Sequence, residues 1–261
     1  MADNRFCGIR FNLNKPEHRR AWEYLQTMDR KEYKSYSNIF ITALNEYIDR
    51  SKQDRSTEML AEQIADAVCR RIGNVDFNKL LKQNSDTVGW IYVNNTNVNY
   101  PIVQTVDNSF YLNHDFNKKS NVAGWIYLDY RADFVNFKKN TVIYGHGRTD
   151  KVMFGSLENT LEKSWYTNKN NQYIKISTLN KDTLWQIVSI YVIKQEAYYL
   201  KTNFESDADY KTWIDKMISR SKYNFGVKPT TKNKFLTLST CKDFKGNRIV
   251  VQAILVSSQN R

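Results

Sequence analysis

The chain has 261 residues, 41% hydrophobic and 25% charged, which suits one or two globular domains and excludes a disordered or fibrous protein. Its formal charge is +12, and residues 1–73 carry 13 basic and 11 acidic side chains, so nearly all the excess lies beyond them. That balance admits nucleic acid, anionic lipid or an anionic wall as partner and does not choose among them. Three cysteines, Cys7, Cys69 and Cys241, are an odd number without close spacing, so neither a disulfide framework nor a zinc knuckle is expected. No run reaches the roughly 18 apolar residues of a membrane span, and MADNRFCGIR shows no signal peptide.

Residues 5–13 alternate, with Cys7, Ile9, Phe11 and Leu13 on one side and Arg10 and Asn12 on the other, which predicts a short strand. Pro16 suits the first turn of a helix running to Met28, with Ala21, Trp22, Leu25 and Met28 on one face. Ser37 can cap a second helix, with Ile39, Phe40, Ala43, Leu44, Tyr47 and Ile48 apolar; Ser56 can cap a third. The segments IRFNLNKPEHRRAWEYL and YSNIFITALNEYI resemble the ribbon-helix-helix proteins of plasmid segregation. That resemblance implies a strand whose outward Arg10 and Asn12 read the major groove of DNA. A helical extension of the second domain is the other reading, since a net +2 is weak for DNA binding.

Gly73 and Asn74 break the helical pattern, dividing the chain into a mostly helical segment, 1–73, and a second domain, 74–261. A short helix is expected over Asp76–Gln83. Eight strand-like runs follow: Val88–Val93, Thr96–Val103, Gly124–Leu128, Thr141–Tyr144, Tyr173–Ser177, Thr183–Lys194, Phe235–Thr240 and Arg248–Val256. The class is mainly β, a barrel or sandwich. A late helix, Asp207–Lys222, is capped by Ser206 and carries Tyr210, Trp213, Ile214, Met217 and Ile218 on one face.

Cys241 ends one strand and Arg248 opens the next, across a turn containing Gly246 and Asn247. Paired strands would set a thiol beside a guanidinium, the arrangement a nucleophilic cysteine or its oxyanion requires. A buried cysteine with an exposed arginine is the plainer alternative. His18 is expected on an exposed helical face and His114 in an exposed polar loop. His146, between Gly145 and Gly147 after a strand, stands at a strand end. Thiol, imidazole and guanidinium are the types that thiol acyl transfer needs.

NTVIYGHG (140–147), TLSTC (237–241) and GNRIVV (246–251) resemble the catalytic segments of sortases. DTVGWIYVNNTNVNYPIVQTVDNSFYL (86–112), GWIYLDYR (124–131) and the late helix resemble class B in particular, over about residues 74–256. The resemblance implies an eight-stranded sortase-type β-barrel with flanking helices. It implies Cys241 as nucleophile, His146 as general acid/base and Arg248 as stabiliser of the carbonyl or oxyanion. It places Asn108, Leu112, Tyr144 and Ser239 along a peptide groove, with Asp243 an acidic neighbour of the cysteine. Gly147 departs from the family, many class B members having Asn there. The implied reaction cleaves a C-terminal sorting signal, NPxTN- or NPxTG-like, after Thr and transfers the protein to an amine of peptidoglycan or a pilin. No metal or organic cofactor is implied, and an extracytoplasmic place at the membrane or wall is. A DNA-binding partition protein carrying an inactive sortase-like scaffold is the alternative.

Overall fold

A computed structural model describes residues 10–27, 39–48, 75–243 and 245–261. The chain divides into two compact units, Met1–Met59 and Leu60–Arg261. The expected boundary at Gly73 and Asn74 lies outside the described residues, as do the caps Ser37 and Ser56 and the third helix.

In the first unit, α1 spans Pro16–Thr27 and a second helix, α2, covers 39–48. Phe11 packs against Trp22 and Phe40, with ring centroids 5.4 and 6.4 Å away. The strand expected over 5–13 is not formed in its described part, because Arg10–Asn12 are irregular and Leu13 and Asn14 turn. Asn12 explains this. Its carbonyl accepts from Lys15 N (2.9 Å), its side chain accepts from Asn14 N (3.1 Å), and its own N–H donates to His18 Nδ1 (3.1 Å). These bonds satisfy backbone groups at the entry to α1 and leave no extended ribbon at 10–13. His18, expected on an exposed face, is half-buried for the same reason.

The first described helix of the second unit is α3 (Phe77–Gln83), capped by the Asp76 carboxylate accepting from Lys79 N. Eight strands follow: β1 Thr87–Val93, β2 Asn99–Val103, β3 Tyr127–Leu128, β4 Asn140–Tyr144, β5 Tyr173–Ser177, β6 Lys181–Lys194, β7 Phe235–Cys241 and β8 Asn247–Asn260. They close into a barrel in the order β1-β2-β3-β4-β7-β8-β6-β5. Closure leaves no strand edge unpaired. All eight expected strands exist, two of them shorter than the apolar pattern. Asn95 turns with φ of 51° ahead of β2, and Gly124 with φ of 55° ahead of β3.

The interior is filled by Ile91, Ile126, Ile143, Trp185, Leu236, Leu238 and Val251, among other buried side chains. The late helix, α4 (Asp207–Ser219), is capped by Ser206 and stops at Arg220, short of the expected Lys222. It lays Tyr210, Trp213, Ile214 and Met217 on Val188, Tyr191 and Phe235, outside the barrel wall. Each large apolar side chain so buried stabilises by about 1.5–3 kcal/mol. The Tyr210 hydroxyl donates to Lys139 O (2.7 Å) and Asn233 O (2.8 Å), tying together the residues that lead into β4 and β7.

Those two strands position the site. β4 and β7 run parallel, in register from Asn140↔Phe235 to Tyr144↔Ser239, so both end at the same rim of the barrel. β7 then turns back into β8 with Cys241 opposite Arg248.

Candidate active site

Cys241 is the last residue of β7, after six buried ones, and is itself half-buried. Its cross-strand partner Arg248 donates from Nη1 to Cys241 Sγ. The other arm of the guanidinium, Nη2, donates to Gln195 Oε1 at 2.6 Å. Asp243 shapes the connecting turn. Its carboxylate accepts from Lys245 N (2.9 Å), Asn247 N (3.2 Å) and Asn247 Nδ2 (2.7 Å). The Asn247 side chain, with those backbone donors, holds the Asp243 carboxyl below the usual carboxylate range.

His146 arrives from β4, two residues past the strand end. Its Nε2 lies 2.7 Å from Leu112 O. A carbonyl only accepts, so Nε2 carries a proton and donates it there. Gly147 lets this loop lie on the end of β7. A Cβ at that position would stand 1.7 Å from Cys241 O and 2.7 Å from its carbonyl carbon. Gly147 is thus the point where the histidine loop touches the cysteine backbone.

Leu112, Tyr144, Gly145, His146, Ser239, Cys241 and Arg248 line one cleft of about 240 Å³, completed by Tyr127, Gln195, Tyr199, Leu200 and Thr240. Six of the residues singled out in the sequence therefore meet: Cys241, His146, Arg248, Leu112, Tyr144 and Ser239. Asn108 and Asp243 do not line the cleft. Asp243 belongs to the turn. Asn108 stands behind Tyr144, its Nδ2 donating to Asp129 Oδ2 (3.1 Å) and its Oδ1 accepting from Tyr130 N (3.0 Å). His114, expected exposed, is half-buried, its ring stacked on Phe110 with centroids 4.0 Å apart.

Asp129 organises this wall. It is fully buried and accepts from the Tyr144 hydroxyl (2.8 Å) and from Arg131 Nε and Nη2 (2.8 Å each). Burial pushes its carboxyl up, but the Arg131 side chain and backbone and the Tyr144 hydroxyl together outweigh burial and hold it below the usual range. On the opposite wall, the buried Asn140 donates to Tyr199 O (3.2 Å) and Lys201 O (3.0 Å), fixing the loop that carries Tyr199 and Leu200. The Tyr199 hydroxyl lies 3.0 Å from Ser239 Oγ. Sequence reading missed Gln195, Asp129, Tyr199 and Asn140. Only Asp129 carried a hint, being an acid that ends an apolar run at GWIYLD.

A half-buried thiol bonded to a guanidinium, facing a histidine across a closed-barrel rim, can perform acyl transfer through sulfur. The Sortase domain family matches residues 91–256. Sortase B of Staphylococcus aureus is 33% identical over 215 residues, 80% of this chain and 87% of that protein.

The chain is a class B sortase.

Sortase B of Listeria monocytogenes is 34% identical over 185 residues, covering 70% of this sortase and 74% of its relative. A solved Staphylococcus aureus sortase B–substrate complex superposes with a TM-score of 0.66 at 34% identity, over 79% of this sortase and 98% of that chain. The eight-stranded barrel is the sortase B fold, and the enzyme is a cysteine transpeptidase of that type. The family match lies within the second unit, and the DNA-binding alternative gains no support from it.

Proposed function

We propose that this sortase cleaves a C-terminal sorting signal of NPxTN or NPxTG type after its threonine and joins the threonine to an amine of peptidoglycan or a pilin at the cell envelope. The observation that carries the reading is the cross-strand pair of Cys241 and Arg248, hydrogen-bonded in one cleft with His146.

Sulfur of Cys241, its thiol proton passing to His146, attacks the threonine carbonyl carbon. Charge develops on the carbonyl oxygen, and the Arg248 arm that rests on sulfur is placed to follow that charge. Because Nε2 of His146 is committed to Leu112 O, Nδ1 is the nitrogen left to exchange protons with the reactants. From there it protonates the departing amine as the C–N bond breaks, leaving a thioester on Cys241. The acceptor amine then attacks the thioester carbonyl and gives its proton back to His146, and the sulfur leaves. Leu112 and Tyr144 on one side of the cleft and Leu200 on the other supply apolar walls for the peptide.

The test is an NPxTN peptide incubated with the enzyme, with the thioester read by intact-mass spectrometry and by capture with hydroxylamine. The unsubstituted protein is expected to show a peptide adduct and release the C-terminal fragment, and Cys241→Ala neither. Undiminished cleavage by Cys241→Ala would overturn the reading.

A further inference from the structure

Arginine carries a long side chain with many rotamers, and a catalytic guanidinium on a strand end must be held to be useful. Here Arg248 is gripped from two sides. Nη1 rests on Cys241 Sγ, and Nη2 donates to Gln195 Oε1. Gln195 sits one residue past the end of β6, whose Lys194 pairs with Asn247. Its backbone N–H donates to Gly246 O at 3.0 Å, so the residue is fastened to the same hairpin turn that joins Cys241 to Arg248. Its side chain is exposed, and its amide oxygen accepts from the guanidinium. An exposed glutamine at a strand end contributes little to the barrel.

We propose that Gln195 is a positioning residue for the transpeptidation, fixing Arg248 over the sulfur and the developing oxyanion. The assignment rests on the catalytic reading of Cys241 and Arg248 given above. A glutamine at this point belongs to the machinery through Arg248, without itself being asked to touch the reacting atoms.

Two isosteric variants separate this role from a structural one. Gln195→Met keeps the shape and removes the acceptor; Gln195→Glu keeps an acceptor. With an NPxTN peptide, Gln195→Met is expected to lower kcat about ten-fold with KM within about two-fold, the signature of an interaction made mainly in the transition state. Gln195→Glu is expected to retain most of kcat, and both variants to keep the parent Tm. In an Arg248→Lys background, where the two-armed grip no longer exists, Gln195→Met is expected to change kcat less than about two-fold, because the pair acts as a unit. Unchanged kcat in Gln195→Met, an equal loss in Gln195→Glu, a loss confined to KM, or the same ten-fold loss in the Arg248→Lys background would each overturn the inference. Failure of the underlying reading looks different: Cys241→Ala would then cleave as well as the parent.

Discussion

At the scale of single residues, Gly147 makes the sharpest demand. Its place is exposed, yet a methyl group there would collide with the Cys241 carbonyl at 1.7 Å. The collision is with backbone, so the His146 loop must move away from β7. Gly147→Ala is therefore expected to lose about 100-fold or more in kcat through misplacement of the imidazole, while circular dichroism and Tm stay near those of the parent. Asp129 makes the opposite demand, on stability. Replacing its buried carboxylate in Asp129→Asn weakens the bonds from Arg131 and Tyr144. The cost is on the order of 2 kcal/mol, since Arg131 reaches solvent, and Tm should fall by about 5 °C. The pH dependence has a definite sign. The folded carboxyl lies below its ordinary value of 3.8, so the stabilisation is complete above that value and is lost as pH falls through the lower, folded value. Acid titration of the parent should show this loss below about pH 4, and Asp129→Asn should lack it.

At the scale of elements, the sequence carried its message unevenly. The eight strands were legible because β-branched and aromatic runs are bounded by turn formers, and the late helix because Ser206 caps a clear apolar stripe. The thiol–guanidinium pairing was legible as well, since a hairpin links residues seven apart by local geometry. Gln195 was not, because it lies 53 positions from Arg248 and meets it only when β6 pairs with β8. Nor was the use of Asn108, whose amide is spent on Asp129 and Tyr130 behind the cleft. The ribbon expected at 5–13 shows the limit of a period-two pattern. In its described part, the alternating segment yields to the turn that starts α1. The helix–barrel seam gives an element-scale test. Tyr210→Phe removes the hydroxyl shared by two carbonyls; Lys139 O keeps the bond from Phe235 N (2.9 Å), while Asn233 O loses the Tyr210 donor. It is expected to cost about 1–3 kcal/mol in denaturant unfolding, with kcat little changed, since those residues precede β4 and β7 at the end away from the cleft.

At the scale of the molecule, every residue in the cleft comes from the second unit. A chain beginning at Val75 is expected to retain kcat/KM for the sorting peptide within about two-fold, and a larger loss would show that the first unit takes part. The catalytic residues differ in how far along the chain their partners lie. Cys241 and Arg248 meet by closing one hairpin, whereas His146 joins them through the parallel pairing of β4 with β7, whose partners are 95 positions apart. Long-range parallel pairing is slow to form. A slip of one residue in β7 against β8 would turn sulfur and guanidinium to opposite faces. Competence to cut peptides is thus conferred only by the finished barrel. A nascent, mispaired or partly unravelled chain is a harmless one, and the fold serves the cell as a safety catch on its own nucleophile.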